Sequence, residues 1–247
     1  MLVLAIDTSG REGSLALAHA ELAPSPEPGG LAILQKSDLL ELVALTGRMY
    51  SAELIPQLTA ALGRRQLEKH ALDALVAASG PGSFTGLRVG LSTVKGLAEI
   101  LHKPIAAVSV LEAIARMAGR VGRVVSVLDA GRSQVFVGEY EFGDDYSPLE
   151  KRESLVPLEQ WIGNVSDSGA EVRRHGSLFV TPDENVVAVA AARGCALQLV
   201  CAPKADLYAR IGLEKILRGE TVSPERLEAN YIRASDAEIF SLPKLSR

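Results

Sequence analysis

The sequence predicts an α/β protein made of two similar lobes. Short apolar runs, as in buried strands, alternate with stretches in which apolar residues recur at three- and four-residue steps, as in amphipathic helices. One pattern also occurs twice: an apolar strand, an aspartate, a small polar turn and a second apolar strand surround Asp7 and again Asp129. The second aspartate follows the first by about half of the 247 residues, which favours an internal duplication.

The first lobe opens with two strands, which we place at 2–6 and 14–18 on either side of a polar turn. A loop rich in proline and glycine at 23–30 leads to a third strand at 31–34. The remaining elements of this lobe are, in order, a helix from Ser51, a strand at 75–78, a helix from Leu87 to Lys103, a strand at 105–108 and a helix from Ser109 to about Gly119.

The second lobe repeats this order with less regular patterns. Its predicted elements are strands at 124–128 and 135–137, a helix from Pro157, a strand at 178–180 and helices at 185–192 and 206–217. We therefore divide the chain into a first lobe at 1–108, a second lobe at 109–225 and a C-terminal tail at 226–247.

The composition is that of a folded, slightly acidic protein. Hydrophobic residues make up 47% and charged residues 23%, and the net charge is −4, which argues against disorder and against a globally basic nucleic-acid-binding protein. The two cysteines, Cys195 and Cys201, are too few for a disulfide framework and favour a reducing compartment. No apolar run reaches the roughly 18–20 residues of a membrane span, so we expect a cytoplasmic protein without a membrane anchor.

A glycine-rich segment lies between a buried strand and the clearest helix of the chain. Its residues are Gly80, Pro81, Gly82, Ser83, Phe84, Thr85 and Gly86. Backbone N–H groups and the helix dipole favour an anion at such a place, but the spacing matches neither common phosphate-binding fingerprint. The alternative is a tight strand-to-helix connection that requires glycine. The sequence leaves both interpretations open.

Acidic and hydroxyl residues at two strand ends form the second candidate site. Asp7, Thr8 and Ser9 follow the first strand, and Asp129 follows the corresponding strand of the second lobe. Facing each other across a cleft, the two carboxylates would suit a magnesium–phosphate group. In the alternative interpretation, each aspartate only caps its own turn.

The sequence contains no complete catalytic or metal-binding set. The four histidines have no ligand spacing to one another or to a cysteine, so we expect no transition metal. Ser83 lacks the frame of a nucleophile elbow. The one Gly-Gly pair, Gly29-Gly30, lies in the proline-rich loop and not in the second lobe, where a nucleotide base would need it. Trp161 is expected in the core.

Several segments together resemble the TsaB (YeaZ) family. They are Ala5-Ile6-Asp7-Thr8-Ser9, Ala52-Glu53-Leu54-Ile55-Pro56, the long block from Ser79 to Leu91, and the segment from Val108 to Ala115. The resemblance implies an actin-like (ASKHA) duplicated two-lobe fold of the sugar kinase and Hsp70 class. Tyr50 stands where many members carry histidine.

The resemblance also implies a function. TsaB resembles the catalytic subunit TsaD, which transfers a threonylcarbamoyl group to the adenosine next to the anticodon of tRNA. TsaB itself is a noncatalytic partner of TsaD, the ATPase TsaE joins the assembly, and TsaB forms a homodimer when TsaD is absent. The implied contact with tRNA is through the complex only. No cofactor is required, although weak binding of ATP or ADP with Mg²⁺ in the complex is compatible with the fold.

A partner surface is expected on the first lobe. In the helix from Leu87, small residues lie beside an apolar stripe, which suits close approach of a second helix. That helix belongs either to a partner or to this chain. The residues assigned to partner binding are Leu54, Leu58, Gly86, Arg88, Gly90, Thr93 and Leu97. The competing hypothesis is an enzyme that binds or hydrolyses ATP through Asp7 and Asp129.

Overall fold

The computed structural model describes residues 1–24, 33–46, 49–167 and 176–232. The chain forms two compact units, each with a five-stranded sheet. Of the described residues, the first unit comprises those of Met1–Ala113 and Cys201–Ala229, and the second comprises those of Ile114–Val200 together with 230–232. Most of the predicted proline-rich loop, with Gly29 and Gly30, lies outside the described residues, as do His175 and the tail from Arg233.

Strands and helices alternate along both units. The strands are β1 (Leu2–Asp7), β2 (Glu12–Ala23), β3 (Ile33–Thr46), β4 (Ala74–Gly80), β5 (Ile105–Ser109), β6 (Gly122–Gly131), β7 (Gln134–Phe142), β8 (Pro148–Pro157), β9 (Leu178–Thr181) and β10 (Gln198–Leu199). The helices within the described ranges are α1 (Tyr50–Arg64), α2 (Phe84–Leu101), α3 (Val110–Arg116), α4 (Leu158–Asp167), α5 (Glu184–Ala191) and α6 (Ala205–Leu217), with one short 3-10 helix at Lys69–Ala71.

The two sheets have the same topology. The first has the order β3-β2-β1-β4-β5 and the second the order β8-β7-β6-β9-β10. In each, the first strand pairs antiparallel to the next one along the chain and parallel to the fourth, and the fourth pairs parallel to the fifth. The duplication predicted from the two aspartates is therefore confirmed at the level of strand order.

Side chains of the first sheet alternate between two covered faces. Leu4, Ile6 and Leu75 face α1 and α2, where they pack with Leu54 and Leu87 in one core. Residues at the intervening positions face α6. The packing there is close, because a Cβ atom on Gly212 would lie 2.3 Å from Val76 Cγ2.

The position of α6 differs from the sequence-based prediction, which put this helix in the second lobe. It packs instead against β1, β2, β4 and β5 of the first unit. Tyr208 and Ile211 are fully buried, and the Ala205 N–H donates to Ser14 Oγ at 2.9 Å. Apolar periodicity identifies the helix but not the sheet that covers it, because either sheet offers an apolar face. The compact units therefore do not coincide with the predicted division at 108 and 225.

The edge strands are longer than the sequence suggests. Of the strand predicted at 31–34, residues 31 and 32 lie outside the described residues, and β3 runs from Ile33 to Thr46; β8 is absent from the predicted elements. Both lie at the edge of a sheet, and polar residues interrupt their apolar positions, most of which are not fully buried, so the sequence does not mark their full length.

The second unit has a core on one face of its sheet. Val125, Val127, Val135 and Val137 pack there against side chains of α4 and α5. Trp161 belongs to this core, as predicted. Cys195 is a buried free thiol and Cys201 an exposed one. Across the described residues, no helix is both long and apolar enough to cross a membrane.

Candidate functional site

Two loops of the first unit meet at one edge of its sheet. The Asp7-Thr8-Ser9-Gly10 loop follows β1, and the Pro81-Gly82-Ser83 loop follows β4. Because β1 and β4 are adjacent and parallel, their carboxyl ends meet at the same edge. The Ser83 N–H donates to the Ser9 carbonyl oxygen at 2.7 Å. The structure thus brings together two of the motifs singled out in the sequence.

Three glycines allow α2 to approach the Asp7–Gly10 loop. A Cβ atom on Gly82 would lie 2.4 Å from the Ser9 carbonyl oxygen, and one on Gly86 would lie 2.0 Å from the Thr8 carbonyl oxygen. At Gly90 it would lie 2.3 Å from Thr8 Oγ1. The Thr8 hydroxyl, seated between these glycines, donates to the Gly86 carbonyl oxygen at 2.7 Å.

Four of the residues predicted to bind a partner pack within the first unit itself. Gly86 and Gly90 contact the chain's own Asp7–Gly10 loop, and Leu54 and Leu58 are buried in the core of the first unit. Small residues on a helix predict a close neighbour but do not say which one, and here the neighbour is a loop of the same chain. Of the predicted partner residues, Arg88 is exposed, and Thr93 and Leu97 are partly buried.

The glycine-rich segment has the geometry of a tight strand-to-helix connection. Its last three residues already belong to α2, and Ser83 is the N-cap, with its Oγ accepting the Gly86 N–H at 3.2 Å. Gly80 has a φ of +106°, which favours glycine. The composition that invited a phosphate-site interpretation is thus explained by local structure.

Asp7 is buried and is used by its own turn. Its Oδ1 accepts the Ser9 N–H at 2.9 Å and the Ser9 hydroxyl at 2.6 Å. Burial raises the pKa of Asp7 to about 6, against the opposing effect of the bonds from Ser9. Burial, and then the charge of Asp7, also raises the pKa of Tyr208 well above its usual value.

Asp129 has a similar turn but a different environment. It is exposed, its Oδ1 accepts the Gly131 N–H at 2.8 Å, and its own N–H donates to Asp183 Oδ2 at 2.7 Å. Burial raises the pKa of Asp183, and the Asp129 charge adds to this, whereas the bond from the Asp129 N–H opposes it. Each candidate carboxylate therefore caps its own turn.

A largely exposed surface on α1 and α2 carries no charge, and only its members Thr93 and Leu97 were predicted from the sequence to bind a partner. We call it the α1–α2 face; it comprises Ala52, Ile55, Pro56, Thr59, Ala60 and Gly63 of α1 with Thr93, Gly96, Leu97 and Ile100 of α2. Ile55 is 51% exposed and Ile100 67%. Within each helix these residues follow helical spacing, so they form a continuous stripe. The signal was present in the sequence as a second stripe, opposite the buried leucines of α1.

The two helices are neighbours and are open to close approach from outside. α1 packs beside α2 over the first sheet. A Cβ atom on Gly63 or on Gly96 would meet nothing within 4 Å. Beside the face, the Arg88 guanidinium lies over the Phe84 ring, 3.8 Å from its centroid. Small exposed residues without charges allow a second pair of helices to pack closely.

Comparison with known proteins assigns the chain to a family. The family model described as TsaD, tRNA N6-adenosine threonylcarbamoyltransferase, matches residues 44–199. The tRNA threonylcarbamoyladenosine biosynthesis protein TsaB of Bacillus subtilis is 28% identical over 242 residues, covering 96% of both chains. The Haemophilus influenzae protein of the same name is 31% identical over 160 residues, which cover 60% of this chain and 68% of that protein. The chain belongs to the TsaB (YeaZ) family.

A solved TsaB-family structure has the same fold. YeaZ from Pseudomonas aeruginosa superposes with a TM-score of 0.67 at 25% identity, covering 93% of this chain and all of YeaZ. The actin-like duplicated α/β fold expected from the resemblance is therefore confirmed. The TsaD-type match begins before α1 and extends into β10, so it includes both helices of the α1–α2 face.

Proposed function

We propose that the chain is a noncatalytic subunit that binds a TsaD protein through the α1–α2 face. TsaB relatives support a role in tRNA threonylcarbamoyladenosine biosynthesis. In this role the chain supports transfer of the threonylcarbamoyl group to the adenosine next to the anticodon, with TsaE joining the assembly and tRNA contacted through the complex. In the absence of TsaD, a second copy of the chain occupies the same face.

The uncharged α1–α2 face is the observation on which the proposal rests. Charged side chains usually cover the outer face of an exposed helix, yet the exposed positions from Ala52 to Gly63 along one side of α1 have none. A paired surface of small and apolar residues fits an antiparallel or crossing pair of helices on the partner. TsaD is the favoured occupant because the TsaD family model matches the segment that includes α1 and α2, so a TsaD protein should have a corresponding pair of helices that can pack against this one.

The local geometry favours this function over ATP hydrolysis. Asp7, the first candidate magnesium ligand, is buried and already accepts two bonds from Ser9. Asp129, the second, accepts the N–H of its own turn. The proposed role needs no cofactor bound to this chain, and any nucleotide site in the complex would be weak.

The test is binding to the TsaD protein of the same organism. We expect Ala60→Arg to weaken TsaD binding by about 100-fold or more, because it places an unpaired charge in the centre of the face. Ala188→Arg is the matched control, since Ala188 is an exposed alanine on α5 outside the face. Isothermal titration calorimetry measures both affinities, and sedimentation shows whether Ala60→Arg also abolishes the homodimer. If Ala60→Arg and Ala188→Arg bind TsaD equally well, the α1–α2 face is not the binding site.

A further inference from the structure

The Asp7–Gly10 loop contacts the starting points of both helices that carry the α1–α2 face. At α2, Thr8 donates to the Gly86 carbonyl oxygen, and the Ser83 N–H donates to the Ser9 carbonyl oxygen. At α1, the hydroxyl of Tyr50, the first residue of the helix, donates to the Gly10 carbonyl oxygen at 3.0 Å. One four-residue loop is therefore bonded to both helices.

The contacts at Thr8 fix where α2 lies along its axis. The hydroxyl occupies the space left by Gly86 and Gly90, and any Cβ there would collide with the loop. Leucine packing alone, as at Leu87 and Leu91, tolerates small shifts of a helix, because such contacts are not directional. The hydrogen bond from Thr8 does not tolerate such shifts, because it is directional and lies in a closely packed space beside Gly86 and Gly90.

The contact at Tyr50 fixes the start of α1 in the same way. The ring is buried and lies over Gly13, where a Cβ atom would be 2.6 Å from Tyr50 Cε1. Burial, and then the charge of Asp7, raises the pKa of Tyr50 to about 12, so at neutral pH the hydroxyl keeps the proton that it donates. The Thr46 N–H, donating to Glu53 Oε2 at 2.9 Å, ties the next turn of α1 to β3.

We propose that Thr8 and Tyr50 are positioning residues for partner binding: through the Asp7–Gly10 loop they set the relative placement of α1 and α2, and with it the shape of the α1–α2 face. The proposal rests on the proposed function, since it concerns the same surface. Neither side chain is on that surface: both are buried and act through the helices they hold. A binding surface made of two helices fits its partner only when their spacing is correct, so these hydroxyls affect affinity without contacting TsaD.

The experiment compares Thr8→Val and Tyr50→Phe with two controls in the second unit. Thr181→Val removes a buried hydroxyl that accepts the Asp183 N–H at 3.1 Å, and Tyr140→Phe removes a hydroxyl that is bonded to Glu153. We expect Thr8→Val and Tyr50→Phe each to weaken TsaD binding by about tenfold, and together by more, as for a lost hydrogen bond that orders the surface. Thr8→Ser, which keeps the hydroxyl, should restore the affinity. Amide hydrogen exchange should become faster in the first turns of α1 and α2 only in the first-unit variants.

The controls separate positioning from general stability. All four variants are expected to lower the melting temperature by a few degrees, but the controls should bind TsaD like the wild type. The positioning role is overturned if the first-unit variants also bind like the wild type, or if all four lose affinity in proportion to their loss of stability. If Ala60→Arg also binds TsaD like the wild type, the α1–α2 face is not the binding site and the proposed function is wrong. If Ala60→Arg loses TsaD binding but Thr8→Val and Tyr50→Phe do not, the face is the binding site and the positioning role is wrong.

Discussion

At the scale of single residues, Asp7 caps its turn from a buried position, and this burial makes the stability of the protein depend on pH. Asp7 is 5% exposed, and burial raises the pKa of its carboxyl group from an ordinary value of 3.8 to about 6. Because the folded pKa is the higher one, folding favours the protonated form. The protonated Asp7 therefore adds to the free energy of unfolding. This addition is complete below about pH 4 and is lost as the pH rises through about 6.

We expect Asp7→Asn to remove this pH dependence. The amide oxygen still accepts both bonds from Ser9, but the side chain carries no charge into the buried site. Between about pH 4 and pH 7.5, the unfolding free energy of the variant relative to the wild type should rise by about 2–3 kcal/mol, as expected for a shift of about two pKa units. Urea unfolding at both pH values measures the change, with Asp206→Asn, at an exposed aspartate of α6, as the control. A difference that is the same at both pH values would show that Asp7 does not titrate in this way.

Sequence reasoning at this scale identified the capping role but not the environment. Asp7 and Asp129 were both expected to cap turns in one interpretation, and both do. The burial of Asp7 and the exposure of Asp129 could not be predicted, because residues far along the chain, such as Tyr208, share the surroundings of Asp7. The similar motifs therefore have different chemistry.

At the scale of elements, the glycines of α2 have two different roles. Gly90 faces Thr8 at a distance that leaves no room for a side chain, whereas Gly96 faces open space. We expect Gly90→Ala to lower the unfolding free energy by about 1–3 kcal/mol, as for overpacking of a buried contact. Gly96→Ala is the matched control and should raise it by about 0.5–1 kcal/mol, because alanine favours the helical conformation. Chemical denaturation compares the two, and equal effects would contradict the close contact at Thr8.

The elements that could be predicted are those with a strong local pattern. β1, β4, α2 and β5 lie within a few residues of the predicted positions, since each has an apolar run or stripe with clear boundaries. β8 has no such pattern, because an edge strand buries few side chains. Local spacing also does not identify the neighbour of a helix: Gly86 and Gly90, which were assigned to a partner surface, lie against Thr8 of the same chain.

At the scale of the whole molecule, the two units have the same sheet topology, but the corresponding aspartates, Asp7 and Asp129, have different surroundings. The purified chain is expected to release phosphate from ATP far below the typical enzyme turnover of ~10 per second, because the candidate carboxylates cap their own turns. Asp7→Ala should leave the residual rate unchanged. The measurement is phosphate release from protein free of contaminating ATPases. A turnover near the typical value that disappears in Asp7→Ala would instead support the enzyme hypothesis.

The packing of α6 on the first sheet has a consequence for synthesis on the ribosome. Translation delivers β1 to β5 first, but the helix that covers one face of their sheet comes only after the whole second sheet. Until residue 217 has left the exit tunnel, the apolar side chains on that face, among them Val3 and Val76, have no α6 to pack against. The nascent first unit therefore exposes an apolar surface while the second sheet is being made, and its folding is completed only after α6 has been synthesised.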